Sequence, residues 1–231
     1  MTGSLSQERS VAPAGIPAIS SYDPSQVWDS VRPSTGPART WRPEPHRTLL
    51  LVHDMQRFFL RSFPADTQPL DTLLERAGRL RAAADGIPVA YTVQPGSMTP
   101  QQRGLLADFW GPGMRAAEAD RAVVAEVAPR EGDTMLTKWR YSAFHHTDLL
   151  RMMREQGRDQ LVLCGVYAHI GVLATAIDAF SHDIQTFLVA DAVADFSADW
   201  HRLALQYAAE RCAAVVRTQD VLDAWSGQVG R

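Results

Sequence analysis

Two charged residues that each end an apolar segment are the first candidates for chemistry. Asp54 closes the segment TLLLVHD, and Lys138 closes the segment TMLTK. Met55, Phe58 and Phe59 follow Asp54 and predict an apolar wall, which would favour the neutral form of the carboxylic acid. Because a neutral carboxyl group can donate a proton, Asp54 is a candidate general acid. A helix N-cap is the alternative interpretation of an aspartate at this position.

The role of Lys138 depends on where its ammonium group lies. A lone lysine is more often a solvated charge, but Lys138 stands between an apolar strand and Trp139, which favours partial burial. If it faced Asp54, it would favour the charged carboxylate, the opposite of the effect of an apolar wall. An anionic substrate could take up the ammonium group and release the carboxyl group. The sequence alone does not decide between these effects.

A glycine-containing turn interrupts the segment LVLCGVYAHIGVLATAIDAF. An apolar strand runs into Gly165, and a helix is predicted to open near Gly171. Catalytic nucleophiles often occupy such strand-to-helix turns, yet this turn has no serine, and Cys164 lies back in the strand. The backbone N–H groups at the start of the helix can hold negative charge. His169 alone is interpreted as a hydrogen-bonded structural residue.

The segment AYTVQPGSMTPQQRGLLADFWGPGMR combines an amide, two arginines and a large aromatic side chain: Gln94, Arg103, Trp110 and Arg115. Arginine binds carboxylates through two parallel hydrogen bonds. The segment therefore suits a lid over an anionic, ring-shaped ligand. The alternative is an ordinary connection whose arginines face solvent.

These candidates must be positioned by alternating strands and helices. Strands are predicted at 48–54, 87–92, 134–138, 161–164, 184–191 and 212–218, and helices at 70–84, 99–108, 146–156, 198–211 and 218–225, besides the one near Gly171. Such alternation indicates an α/β fold with a parallel sheet covered on both faces. Sites in these sheets form beyond the carboxyl ends of the strands, where Asp54, Gln94, Lys138, the Gly165–Gly171 turn and Asp191 are expected.

Composition restricts the class of protein. The 231 residues suit one domain, and a net charge of −3 offers no basic field for nucleic acid. The apolar runs are too short for a membrane span, and we expect no signal peptide and a cytoplasmic location. Cys164 and Cys212 are interpreted as reduced core residues, and no metal site is expected. Residues 1–15 are predicted to be a disordered extension, and residues 16–231 one domain, with Ile16, Ile19, Tyr22, Trp28 and Trp41 as anchors of its first segment.

Five motifs together resemble the isochorismatases, and they look most similar to the branch found in phenazine biosynthesis. They are LLLVHDMQRFF, AYTVQPGSMTPQQRGLLADFWGPGM, LTKWRYSAF, LVLCGVYAHIGVLATAIDAF and LVADAVADFS. The similarity covers the chain from about Ile16 to its end, in order and at family spacing. It implies a three-layer, Rossmann-like α/β/α sandwich around a six-stranded parallel sheet, usually in a homodimer. It also implies a non-proline cis peptide bond near Val166 and Tyr167.

The resemblance implies particular catalytic residues. The wider superfamily of cysteine hydrolases uses an Asp, a Lys and a nucleophilic Cys, which by motif fall on Asp54, Lys138 and Gly171. The isochorismatase branch departs from the superfamily at the Cys position, because these enzymes cleave a vinyl ether without a covalent intermediate. Asp54 would protonate the terminal carbon of an enolpyruvyl group, and Gly171 would leave room for that group. No cofactor or metal is implied.

The resemblance further implies how the substrate is held. The carboxylates and the ring hydroxyl would contact Lys138, Gln94, Arg103 and the backbone near Tyr167 and Gly171. Phe58 and Trp110 would form walls against the ring.

The predicted reaction is hydrolysis of 2-amino-2-deoxyisochorismate, a small anionic cyclohexadiene, to trans-2,3-dihydro-3-hydroxyanthranilate and pyruvate. Isochorismate, which would give 2,3-dihydro-2,3-dihydroxybenzoate and pyruvate, is the alternative, since we identify no residue that would recognise the amine. A cysteine-dependent amidohydrolase is a more distant alternative, but it predicts a thiol where Gly171 stands. A non-catalytic binding protein would not need both Asp54 and Lys138.

Overall fold

A single six-stranded sheet forms the centre of the protein in a computed structural model that describes residues 15–32 and 36–227. All neighbouring strands are parallel, in the order β3-β2-β1-β4-β5-β6. The strands are β1 (Thr48–His53), β2 (Val89–Val93), β3 (Thr134–Thr137), β4 (Gln160–Val166), β5 (Gln185–Ala194) and β6 (Ala213–Val216). The predicted six-stranded parallel sheet is therefore confirmed.

Helices connect the strands and cover both faces. They are α1 (Pro24–Trp28), α2 (Arg57–Leu60), α3 (Leu70–Ala83), α4 (Pro100–Arg103), α5 (Leu106–Trp110), α6 (Glu118–Arg121), α7 (Leu149–Glu155), α8 (Leu173–Ser181), α9 (Ala198–Arg211) and α10 (Thr218–Trp225). Short 3-10 segments occur at Gly36–Thr40 and Ala125–Val127, and a π-helical turn at Ala168–Val172 precedes α8.

Strand β1 shows why the sheet needs two covering layers. All six of its residues are buried. Leu50 and Val52 pack into one apolar cluster with side chains of α3, whereas Leu49 and Leu51 pack into a second cluster with side chains of α7, α8 and α9. A strand buried on both faces is typical of parallel sheets, so the α/β/α sandwich follows from the unbroken apolar sequence of β1.

The chain changes direction across the sheet between β1 and β4. From β1 the chain runs outward to β2 and β3, then returns to β4 on the other side of β1. A crevice opens at the carboxyl ends of the strands at such a switch point. Gly165, with φ of 115°, lies against β1 so closely that a Cβ would stand 2.1 Å from the carbonyl oxygen of His53. The close approach of β1 and β4 at this edge therefore requires glycine.

The segment before β1 is anchored as predicted at Ile19 and Tyr22. Ile19 is buried, and its N–H donates to the carbonyl oxygen of Ser62 at 2.7 Å. The hydroxyl of Tyr22 accepts a hydrogen bond from the N–H of Asp195 at 2.9 Å. Of the predicted disordered extension, residues 1–14 lie outside the described residues.

Two predicted helix boundaries are wrong, and a third is confirmed. The predicted helix 99–108 is two short helices, α4 and α5, because Gly104 between them has φ of 50°. The predicted helix 146–156 begins only at Leu149, since His146 has φ of 53°. The helix expected near Gly171 begins at Leu173, after the π-helical turn.

Several minor interpretations agree with the structure. Both cysteines are buried and unbonded, as predicted. The Nδ1 atom of His169 lies 2.6 Å from Oδ1 of Asp195, which fits a hydrogen-bonded structural histidine. None of the helices in 15–32 and 36–227 is long and apolar enough to cross a membrane.

Candidate active site

A pocket of about 560 Å³, counting its open mouth, lies at the carboxyl ends of β1 and β4. All eight residues assigned to the site from the sequence line it: Asp54, Phe58, Gln94, Arg103, Trp110, Lys138, Tyr167 and Gly171. The structure therefore brings together residues from five separate stretches of the chain.

Asp54 and Lys138 form a buried ion pair in this pocket. Their side chains are almost inaccessible, with the residues 5% and 2% exposed, and Nζ of Lys138 lies 2.9 Å from Oδ2 of Asp54. The other carboxylate oxygen, Oδ1, accepts a hydrogen bond from the hydroxyl of Thr92 at 2.6 Å. The N-cap alternative for Asp54 fails, because the N-cap position of α2 is Gln56. Burial of Lys138 is more complete than the partial burial predicted.

The ammonium group of Lys138 is occupied by protein oxygens. Besides Asp54, it donates to the carbonyl oxygens of Arg140 at 2.8 Å and Tyr141 at 3.4 Å. An ammonium group has three hydrogens, so these three acceptors satisfy it. In this geometry Lys138 holds the carboxyl group of Asp54 in place and has no hydrogen left for a ligand.

His53 occupies the space above Gly171. Its ring is fully buried, which lowers the pKa of His53 to about 4 and keeps the imidazole neutral. Its Nδ1 atom lies 2.9 Å from the carbonyl oxygen of Val166, at the expected cis peptide bond between Val166 and Tyr167, which is present. A Cβ at Gly171 would stand 2.4 Å from Cε1 of His53 and 3.2 Å from the carbonyl oxygen of Tyr141. The space that a side chain at position 171 would need is therefore filled by the His53 imidazole, and it is not left open for an enolpyruvyl group as expected from the sequence.

Cys164 does not replace the missing thiol. It is absent from the pocket lining, and its Sγ lies in the sheet, 3.7 Å from the carbonyl oxygen of Leu51. Burial raises the pKa of Cys164 to about 12, so the reactive thiolate is suppressed. The geometry therefore argues against the cysteine-dependent amidohydrolase.

Two arginines give the pocket positive charge. Arg103 is 6% exposed, and it donates to the carbonyl oxygens of Gly111 at 2.9 Å and Trp110 at 3.4 Å. Arg140 donates to the carbonyl oxygens of Gln102 and Trp139. Within the described part of the chain, neither guanidinium forms an ion pair with a carboxylate, and burial lowers the pKa of Arg103. Two such cations beside an open pocket can bind an anionic ligand.

The predicted lid, residues 90–115, contacts the segment that follows β3. Nε1 of Trp110 donates to the hydroxyl of Tyr141 at 2.9 Å, and Nη1 of Arg140 donates to the carbonyl oxygen of Gln102 at 2.8 Å. The ring of Trp110 also meets Phe196 edge to face at 5.8 Å. Arg115 was expected in this lid, but its side chain is 82% exposed and lies near Asp120, outside the pocket. That expectation is wrong, because the lid ends at the turn after Trp110.

Tyr167 and Gln94 are held by other residues. The hydroxyl of Tyr167 donates to the carbonyl oxygen of Phe59 at 2.6 Å, so Tyr167 presents its ring and backbone to the pocket. The side chain of Gln56 accepts from the N–H of Gln94 at 2.8 Å and donates to its carbonyl oxygen at 3.1 Å. Gln56 thus fixes the loop that carries Gln94.

Sequence reasoning missed six residues that build the site: His53, Gln56, Thr92, Arg140, Tyr141 and Phe196. A usable signal existed, because each of them stands inside one of the motifs that carry the family resemblance. Their roles depend on contacts between separate strands, which no single motif displays.

The fold and the pocket define an α/β protein whose site holds a buried Asp–Lys pair and two arginines that have no carboxylate partner among the described residues. The profile of the isochorismatase domain family matches residues 48–220. This chain belongs to the isochorismatase family, and it is a hydrolase of that type.

Individual relatives agree with this assignment. The chain is 57% identical over 212 residues to phenazine biosynthesis protein PhzD1 of Pseudomonas aeruginosa, covering 91% of this chain and 100% of that protein. It is 48% identical over 210 residues to the isochorismatase of Bacillus subtilis, covering 90% of this chain and 66% of that protein. Among solved structures, a cysteine hydrolase from Pseudomonas syringae pv. phaseolicola matches with a TM-score of 0.74 at 22% identity, covering 86% and 99% of the two chains. That last similarity establishes the fold alone.

The close packing of His53 on Gly171 predicts a specific energetic coupling. We expect Gly171→Ala to lower the free energy of unfolding by about 1–3 kcal/mol, because the new methyl group overlaps the buried imidazole. In a His53→Ala background the same change should cost less, with a coupling of about 1 kcal/mol or more. Urea unfolding followed by circular dichroism measures all four proteins of this cycle. An equal cost of Gly171→Ala in both backgrounds would contradict the packing argument.

Proposed function

We propose that this protein hydrolyses the enolpyruvyl ether of 2-amino-2-deoxyisochorismate in a phenazine-type biosynthetic pathway. The products are pyruvate and trans-2,3-dihydro-3-hydroxyanthranilate. The observation that carries the proposal is Asp54, a buried carboxyl group between Thr92 and Lys138 in a pocket where Gly171 leaves no place for a nucleophile. The similarity to a phenazine biosynthesis protein supports this choice of substrate.

Protonation of carbon is the demanding step of this reaction. The protonated form of Asp54, and not the carboxylate of the ion pair with Lys138, gives its proton to the terminal methylene carbon, and the electron pair of the C=C bond forms the new C–H bond. An oxocarbenium ion results, water adds to it, and the proton that water loses restores the acid. The hemiketal then collapses to pyruvate and the ring alcohol. As Asp54 becomes a carboxylate, Lys138 at 2.9 Å stabilises the negative charge that develops.

The charge of the pocket fits the proposed substrate. The substrate carries two carboxylates, one on the ring and one on the enolpyruvyl group. Arg103 and Arg140 line the pocket without a carboxylate partner in the described ranges. Each can bind one carboxylate, and Phe58 and Trp110 then lie against the ring. Lys138 is already saturated, so it contributes to the acid and not to carboxylate binding.

Isochorismate is the second candidate substrate. It differs by a hydroxyl group in place of the amine, and the similarity to an isochorismatase of Bacillus subtilis favours it. No pocket residue distinguishes the two groups by its contacts in the described part of the chain. The homodimer and the cytoplasmic location stay predictions.

The direct test is an assay of the purified protein with both substrates. We expect a higher kcat/KM for 2-amino-2-deoxyisochorismate, with pyruvate detected by lactate dehydrogenase and NADH. A higher kcat/KM for isochorismate would transfer the assignment to the second candidate. Turnover of neither substrate would contradict the proposal.

Removing the proton donor should stop the chemistry without disturbing binding. We expect Asp54→Asn to reduce kcat about 100- to 10,000-fold, with KM little changed, because the amide cannot act as an acid. Asp191→Asn is the matched control. Asp191 is also buried at the carboxyl end of the sheet, but it accepts hydrogen bonds from Thr218 and lies outside the pocket lining. Near wild-type kcat in Asp54→Asn would eliminate the acid role.

Isotopic labelling distinguishes the bond that is cleaved. In water enriched in ¹⁸O, we expect the ring alcohol to retain its original oxygen, because water attacks the enolpyruvyl carbon. Mass spectrometry of the ring product measures this directly. Label in the ring hydroxyl would mean that water attacks the ring, and the mechanism through carbon protonation would be wrong.

A further inference from the structure

The proton donor is held by a residue outside the pocket. Thr92, on β2, is buried and absent from the pocket lining. Its hydroxyl donates to Oδ1 of Asp54 at 2.6 Å and accepts from the N–H of Asp54 at 3.0 Å. The same N–H also lies 3.2 Å from the carbonyl oxygen of Thr92. One side chain therefore contacts both the backbone and the carboxyl group of the acid.

The backbone of Asp54 needs such support. Its φ is 53°, a left-handed conformation that is uncommon for residues other than glycine. The branched side chain of threonine has few χ1 rotamers, which gives its hydroxyl a defined direction. Thr92 also stands directly opposite His53 in the pairing of β1 with β2, so its position is set by the sheet.

The two oxygens of the carboxyl group have different partners. Oδ1 receives the Thr92 hydroxyl hydrogen, whereas Oδ2 lies beside Lys138 at 2.9 Å. Each oxygen therefore accepts from a different donor, so two contacts fix the orientation of the carboxyl group. Once Asp54 has given up its proton, the hydrogen bond from Thr92 stabilises the resulting carboxylate.

We propose that Thr92 is a positioning residue for the acid: its hydroxyl fixes the orientation of the Asp54 carboxyl group through Oδ1 and stabilises the carboxylate that proton transfer leaves. This inference rests on the proposed function. Thr92 acts only through Asp54, so it should affect the chemical step and leave substrate binding unchanged.

Other titratable groups lie beside Asp54 or line the same pocket. Lys138 lies after β3, at 2.9 Å from Oδ2, and His53 lies on β1, with Nδ1 at 3.8 Å from Oδ2. His53 stays neutral above pH 4, because burial lowers its pKa to about 4. Tyr167, after β4, and Arg103, in the lid, line the same pocket. None of these groups contacts Thr92 through a hydrogen bond in the described ranges.

The test is the effect of Thr92→Val and Thr92→Ser on kcat and on KM separately. Valine has the shape of threonine without the hydroxyl, so the carboxyl group of Asp54 loses the hydrogen bond that orients it. For Thr92→Val we expect kcat to fall about tenfold and KM to stay the same. Thr92→Ser retains the hydroxyl and should restore kcat.

Thr186→Val is the matched control. Thr186 is a fully buried threonine of β5, and its hydroxyl has no hydrogen-bond partner in the described part of the chain. Its kcat and KM should match those of the wild type. If Thr92→Val does not fold, Thr92→Ala provides the same test without a bulky side chain, and urea unfolding is measured for every variant.

The outcomes separate this inference from the proposed function. A wild-type kcat in a folded Thr92→Val or Thr92→Ala protein, with Asp54→Asn inactive, overturns the role of Thr92 and leaves the reaction in place. A change confined to KM, or a fall in kcat that Thr92→Ser does not reverse, also overturns it. Full activity of Asp54→Asn overturns both the proposed function and the inference.

Discussion

The buried ion pair between Asp54 and Lys138 is the interaction on which the site depends. It joins the ends of β1 and β3, which are not neighbours, across the intervening β2. Burying two charges is costly, and the contact is favourable only because other groups complete their hydrogen bonds. Thr92 satisfies the second carboxylate oxygen, and two carbonyl oxygens satisfy the ammonium group. The carboxyl ends of three strands must therefore be in register before the acid can be positioned.

The missing nucleophile is a consequence of packing. The imidazole of His53 fills the volume that a side chain at position 171 would need, and its Nδ1 is tied to the carbonyl oxygen of Val166. A thiol cannot be accommodated there unless His53 also changes. The pocket therefore keeps the Asp54–Lys138 pair and has no space for a side chain at position 171.

The lid explains how a dianion can be bound beside an ion pair that is already neutralised. Arg103 is oriented by carbonyl oxygens of its own lid, and Arg140 connects the lid to the segment after β3. Carbonyl groups orient a guanidinium without neutralising it, so the positive charge remains for a ligand. The acid and the carboxylate-binding cations are thus kept electrostatically separate within one pocket.

The sheet, the family and the eight proposed site residues could all be predicted from the sequence. Unbroken apolar strands such as β1 require cover on both faces, and the motifs around Asp54, Lys138 and Gly171 indicated the chemistry. Two helix boundaries were predicted wrongly, because a positive φ at Gly104 and at His146 interrupts helical patterns that are continuous in the sequence.

The contacts that the side chains of the site make are seen only in the folded protein. The sequence did not show that Lys138 pairs with Asp54 or that Arg115 lies outside the lid. It also did not show that Thr92 and His53 complete the site. These contacts depend on distances between strands that are far apart in the chain. Periodicity reports which residues are buried, but hydrogen bonds and close contacts form between particular atoms, and those are fixed only when the strands are paired in register.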